Sequence, residues 1–262
     1  MKYNIKPKVR ELTEKFVSII SAWDSIEAIC LNETAAADML DPYFAIILDV
    51  YYHETVPDTD ERILAYPPHN VFETSPTGMK DRFLVGEIPV RIEYKPAARI
   101  DELTSIALHS GSDLWKIRGN GTYVFYRLVN SQPFFERTGW LKEQLSRLEM
   151  LPDVFWVRMR SFYQSSMEHY LLDFGASIMQ DDPFNNMISA AYFIKYACAV
   201  LFMENGQFEP SHRGYQNQVA SLTTLPDGFA GWFESFLRPD SELPPARKYE
   251  IAKLIVRSIV AL

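Results

Sequence analysis

The chain is predicted to be α+β, with a mixed sheet and flanking helices in its first part and an all-α helical bundle in its second. Three observations carry this. Val90, Ile92 and Tyr94 alternate with Arg91, Glu93 and Lys95, the two-residue period of a strand. Near Ile100 the hydrophobic period changes from two to 3.6. Glycine is scarce, 11 of 262 residues, which argues against Gly-rich phosphate loops and large all-β architectures with many tight turns. The expected division is 1–110 for the sheet part and 111–262 for the bundle.

The elements follow in order. From Pro7 to Trp23, Val9, Leu12, Phe16, Ile19, Ile20 and Trp23 recur at helical spacing, with Lys8, Arg10, Glu14 and Lys15 on the wet side. Ile26–Leu31 and Phe44–Tyr52 read as buried strands. The prolines at 57, 67, 68 and 76 predict a loop over Asp58–Thr77. Arg82–Lys95 returns to extended structure. After a short helical stretch and a turn at Gly119–Gly121, nearly everything is expected to be helical: Trp140–Leu148, Val154–Met179, Pro183–Met203, Gly228–Leu237 and Ala246–Val260. Pro183 suits the first turn of its helix, and Asn205-Gly206 stops it.

Composition narrows the function. Apolar residues make up 47% and charged residues 23%, so a sizeable core is available and wholesale disorder is excluded. The formal charge of −8 repels a nucleic-acid backbone, so no nucleic-acid partner is expected. The apolar stretch Met187–Met203 carries Lys195 at its middle, which costs ~2.5–3.5 kcal/mol on membrane-insertion scales. A buried helix and no membrane association are expected. Cys30 and Cys198 lie far apart in apolar surroundings, as buried free thiols do in a reducing compartment, and Met1–Lys15 is too polar for a signal peptide, so a cytoplasmic location is expected. The five histidines lack ligand spacing, so no zinc is expected.

The chemistry concentrates in IEAICLNETAAADMLDPYFAIILDVYY, Ile26–Tyr52, together with RIEYK, Arg91–Lys95. A strand ends at Leu31, a polar and alanine-rich crossover follows, Asp41 precedes a second apolar strand, and Glu93 sits on a later one. This order resembles the nucleotidyltransferase superfamily, in which a Gly-Ser turn and an Asp-x-Asp strand are followed by a third carboxylate on a later strand. Aminoglycoside nucleotidyltransferases and their relatives also append a helical bundle of this size. The resemblance implies a nucleotidyltransferase-like domain over 1–110 and a substrate-binding bundle over 111–262. It further implies a nucleoside triphosphate, Mg²⁺ or Mn²⁺, and a small-molecule hydroxyl as acceptor. Clustered carboxylates suit a hard divalent ion, and another carboxylate can serve as general base.

On this resemblance Asp41 and Glu93 are the catalytic acids, facing one Mg²⁺ from adjacent strands. Asp49 is a further metal ligand and Asp38 a substitute one. Thr34 lies near the phosphates, and Arg62, Lys80 or Arg82 supplies positive charge. Carboxylates so clustered would have raised pKa values through mutual repulsion in the absence of metal. The chain departs from the pattern twice. Asn32-Glu33-Thr34 stands where Gly-Ser is expected, and Tyr43 stands where the second acid would be. The alternative is therefore a catalytically inactive member of the fold, a binding or regulatory protein. Structural readings accompany each residue: Asp41 before Pro42 as a turn initiator, Asp49 as half of a buried salt bridge, Glu93 as an Arg-paired glutamate, and the basic residues as solvated charges.

Overall fold

The structure is a computed structural model, and it describes residues 4–119 and 121–262. In chain order the regular elements are α1 Pro7–Ile20, β1 Ile26–Leu31, β2 Ile46–Tyr52, α2 Thr59–Ala65, β3 Asn70–Thr74, β4 Lys80–Val85, β5 Ile88–Pro96 and α3 Ala97–His109. They continue with α4 Trp115–Arg118, α5 Tyr123–Asn130, β6 Gln132–Glu136, α6 Trp140–Glu149, α7 Asp153–Met179, α8 Pro183–Glu204, α9 Tyr215–Ala220, α10 Phe229–Phe236 and α11 Pro245–Val260. The expected α+β class, a mixed sheet with helices followed by a helical region, is what the chain adopts.

The chain forms two compact units. One runs through His109 and adds Val124–Leu151; the other comprises Ser110–Tyr123 and Pro152–Leu262. The expected boundary at 110/111 is thus corrected: the chain leaves the first unit and returns to it. The reason is β6, which pairs antiparallel with β1 from Ala28↔Glu136 to Leu31↔Gln132. Arg137 fastens this return, its Nε donating to Ile26 O at 2.8 Å, and the Thr138 hydroxyl donates to the buried Glu27 carboxylate at 2.7 Å.

The sheet of the first unit has six strands in the order β3-β4-β5-β2-β1-β6. Only β2 and β5 run parallel; the other neighbours are antiparallel. Pleating sends alternate side chains to opposite faces. On one face Ile29, Leu31, Leu48, Val50, Val90 and Ile92 form a core with Val9, Leu12, Phe16 and Ile20 of α1. The other face carries Asp49, Tyr51, Glu93 and Lys95, and the Trp140 ring of α6 lies 5.2 Å from that of Tyr51.

Two further expectations are corrected here. Asp58–Thr77 contains α2 and the edge strand β3 rather than loop alone, because the Asp58 carboxylate caps α2 by accepting from Glu61 N–H at 2.9 Å. Arg82–Lys95 is not one strand but the hairpin β4–β5, turned at Gly86, whose φ of 60° suits a residue without a Cβ.

The second unit is built on α7 and α8. Asp182 caps α8 by accepting from Asn185 N–H at 3.0 Å, and Pro183 opens it. Phe155, Met159 and Phe174 of α7 and Phe193 and Phe202 of α8 are buried. Across the two helices Tyr170 stacks on Tyr192 and Tyr196, with centroids 4.9 and 5.6 Å apart. Among the described residues α8 is the one helix long and apolar enough to cross a membrane by length and composition, and half of that apolar window is buried inside this fold.

Candidate functional site

The parallel pairing of β2 and β5 aligns Asp49 with Glu93, one residue opposite the other, on the same face of the sheet. Each is a carboxylate in a strand otherwise apolar on its core face, and both are buried: Asp49 has no exposure and Glu93 has 8%. Buried carboxylates must be paired or bound. Arg127 of α5 lies between them. Its Nε donates to Asp49 Oδ2 at 2.9 Å, its Nη2 to Asp49 Oδ1, and its Nη1 to Glu93 Oε2 at 2.7 Å. Lys95 Nζ is 2.7 Å from Asp49 Oδ1, and Lys80 Nζ is 3.2 Å from Glu93 Oε1. Every oxygen of the two acids therefore meets a cationic donor.

The electrostatics follow from this geometry. Burial alone would raise the Glu93 pKa, but the charges of Arg127, Lys95 and Lys80 outweigh it and hold the carboxyl at about 2. The raised carboxylate pKa expected from mutual repulsion is corrected for Glu93, because the neighbouring acid is screened by the guanidinium set between them. Burial pulls Lys95 below the ordinary lysine value, although Asp49 opposes it. Burial and the Asp49 charge push the Tyr51 phenol up, and among the described residues its hydroxyl has no hydrogen-bond partner.

A divalent ion does not fit this arrangement. Three cations already neutralise two anions, and a metal would have to displace Arg127, Lys95 or Lys80 before it reached a carboxylate oxygen. Among the described residues no group of three or more His, Cys, Asp or Glu side chains could hold a metal ion.

The other expected site residues lie elsewhere. Asp41 is not on a strand: it sits in the turn before β2, exposed, and its carboxylate accepts from Tyr43 N–H at 2.7 Å. The strand begins at Ile46, so Asp49, not Asp41, is the acid aligned with Glu93. Asp38 is exposed; the Leu40 amide and then Lys6 hold its carboxyl below the usual value. The Thr34 hydroxyl donates to Ala45 O at 2.9 Å. Glu33 accepts from the Tyr126 hydroxyl at 2.9 Å. Arg62, 2% exposed, is committed on the α1 side of the sheet, where Nε and Nη2 grip Asp81 at 2.8 and 3.0 Å and Nη1 donates to Pro57 O at 2.7 Å. Its guanidinium is thus engaged by the chain's own acceptors, Gly78 O among them at 2.8 Å. Arg82 is exposed beside Arg91, in a hollow shared with Glu73.

Arg127 is the residue that sequence reasoning missed. Its signal was present: a lone arginine inside the apolar run Tyr123–Val129 raises the same question as Asp49 in ILDVYY, and each answers the other.

The six-stranded mixed sheet with flanking helices, followed by a helical region, is a nucleotidyltransferase-like α+β fold. The chain resembles the crystal structure of a nucleotidyltransferase-like protein from Exiguobacterium sibiricum, with a TM-score of 0.51 and 11% identity over 96% of this chain and 74% of that one. At that identity the likeness concerns the fold. No family model matches the chain, and no curated protein matches it.

Proposed function

We propose that this protein uses a nucleotidyltransferase-like fold for binding or regulation, and that its paired acids serve as a charged lock in place of a metal site. The observation that carries the reading is the Arg127 clamp. It engages both oxygens of Asp49 and one of Glu93, on the two strands where a transferase would need free carboxylates. The sequence departures agree with it. Glu33 puts a negative charge where a phosphate would lie, and Tyr43 stands in place of the second acid. In the competing reading, metal-dependent transfer of a nucleoside monophosphate to a small-molecule hydroxyl, the alignment of Asp49 with Glu93 is the supporting feature.

Incubating the full chain with ATP, GTP, CTP or UTP and Mg²⁺ separates the two. The binding reading predicts no release of pyrophosphate from any of them, with or without a panel of amino- and hydroxyl-bearing acceptors. Pyrophosphate release that Asp49→Asn or Glu93→Gln abolishes would establish the transferase instead.

A further inference from the structure

The helical unit contains a cavity that shares no residue with the acid pair. Its volume is about 380 Å³, and its walls include Arg118, Tyr163, Lys195, Tyr196, Glu209 and Arg213. Glu209 is 5% exposed, and its carboxylate is held by phenols rather than by cations. Tyr163 donates to Oε2 and Tyr215 to Oε1, each at 2.5 Å, and the Glu209 N–H donates to Thr122 Oγ1 at 2.8 Å. Burial and the Glu209 charge push both phenols well above their ordinary pKa, so both remain donors at neutral pH.

The cations around this wall are differently placed. Arg118 Nη2 donates to Ser166 Oγ at 3.0 Å, and its guanidinium lies 5.3 Å from the Phe162 ring centre. Lys195 Nζ lies 5.3 Å from the Tyr196 ring centre. Among the described residues neither has a carboxylate within 4.0 Å, while Glu209 is already satisfied by its two tyrosines. Arg118 and Lys195 thus outweigh the one carboxylate of the lining, Glu209, in a chain whose formal charge is −8. A guanidinium and an ammonium, neither of them holding a carboxylate, suit a phosphate, which arginine meets with its planar fork and lysine as a point charge. Tyr196 and Tyr123 give the same cavity aromatic walls.

We propose that this cavity in the helical unit binds a phosphoryl group, with Lys195 and Arg118 as its charge partners. The shared chemistry is the phosphate dianion, whether free or carried on a small organic molecule. The site does not depend on how the acid pair of the sheet unit is read.

Titration calorimetry on the full chain in EDTA, with inorganic phosphate and with phenyl phosphate as probes, tests this. One saturable site is expected, weakened about tenfold or more by Lys195→Gln or Arg118→Gln and unchanged by Arg10→Gln in the other unit. Tighter binding of phenyl phosphate assigns the ligand to organic phosphates stacked on tyrosine; equal affinity assigns it to the free anion. No saturable binding of either probe by the wild type overturns the proposal. So does affinity that both folded variants retain in full. Because EDTA removes divalent ions and Arg10 lies in the sheet unit, a failure here is distinct from a failure of the lock.

Discussion

At the scale of single residues, Arg127 sets the terms. Replacing it with methionine would keep much of the packing volume but leave Asp49 and Glu93 buried against one another. The expected loss is about 3–5 kcal/mol in urea unfolding, with part recovered when Asp49→Asn and Glu93→Gln are added. An unchanged midpoint for Arg127→Met would mean that the clamp is not formed in solution. The pH dependence has a definite sign. The Glu93 carboxyl titrates near 4.5 in an unfolded chain and at about 2 in the fold, so its stabilisation is complete above about pH 4.5 and is lost as pH falls toward 2. The stability gap between wild type and Glu93→Gln should therefore close across that interval. Tyr51 behaves oppositely. Its buried hydroxyl has no partner among the described residues, so Tyr51→Phe should be neutral or stabilising by about 1 kcal/mol.

At the scale of elements, the readable and unreadable parts of the sequence separate for physical reasons. α1, β1 and β2 carry strong hydrophobic periods and lie close to where those periods place them. β6 does not. Its five residues, QPFFE, include Pro133, which has no N–H for a ladder, and the strand is tolerated because it sits at the sheet edge with β1 on one side only. β3 forms the other edge and is mostly exposed, so no hydrophobic alternation marks it. In the helical unit the contact between α7 and α11 turns on Gly175, where an added Cβ would lie 2.7 Å from the Tyr249 hydroxyl and ring. Gly175→Ala should cost about 1–3 kcal/mol, and Tyr249→Leu in the same chain should relieve part of it. Additive losses in thermal unfolding would contradict this contact.

At the scale of the whole molecule, the class of fold was legible because the change from a two-residue to a 3.6-residue period is a global feature. The site was only half legible. The lone charges in ILDVYY and RIEYK marked buried acids, but sequence spacing could not say that Asp49 faces Glu93, since that depends on the parallel register of two strands separated by a long excursion. Nor could it say that the chain would return after residue 123 to deliver Arg127 and β6. A fragment ending at residue 110 would lack both, and circular dichroism should find it without a cooperative unfolding transition. The acid pair is occupied by the chain's own cations. Mn²⁺ titration followed by electron paramagnetic resonance, with and without ATP, addresses this most directly. No stoichiometric Mn²⁺ site is expected on the protein in either condition; one Mn²⁺ per chain, lost in Asp49→Asn or Glu93→Gln, would overturn the lock.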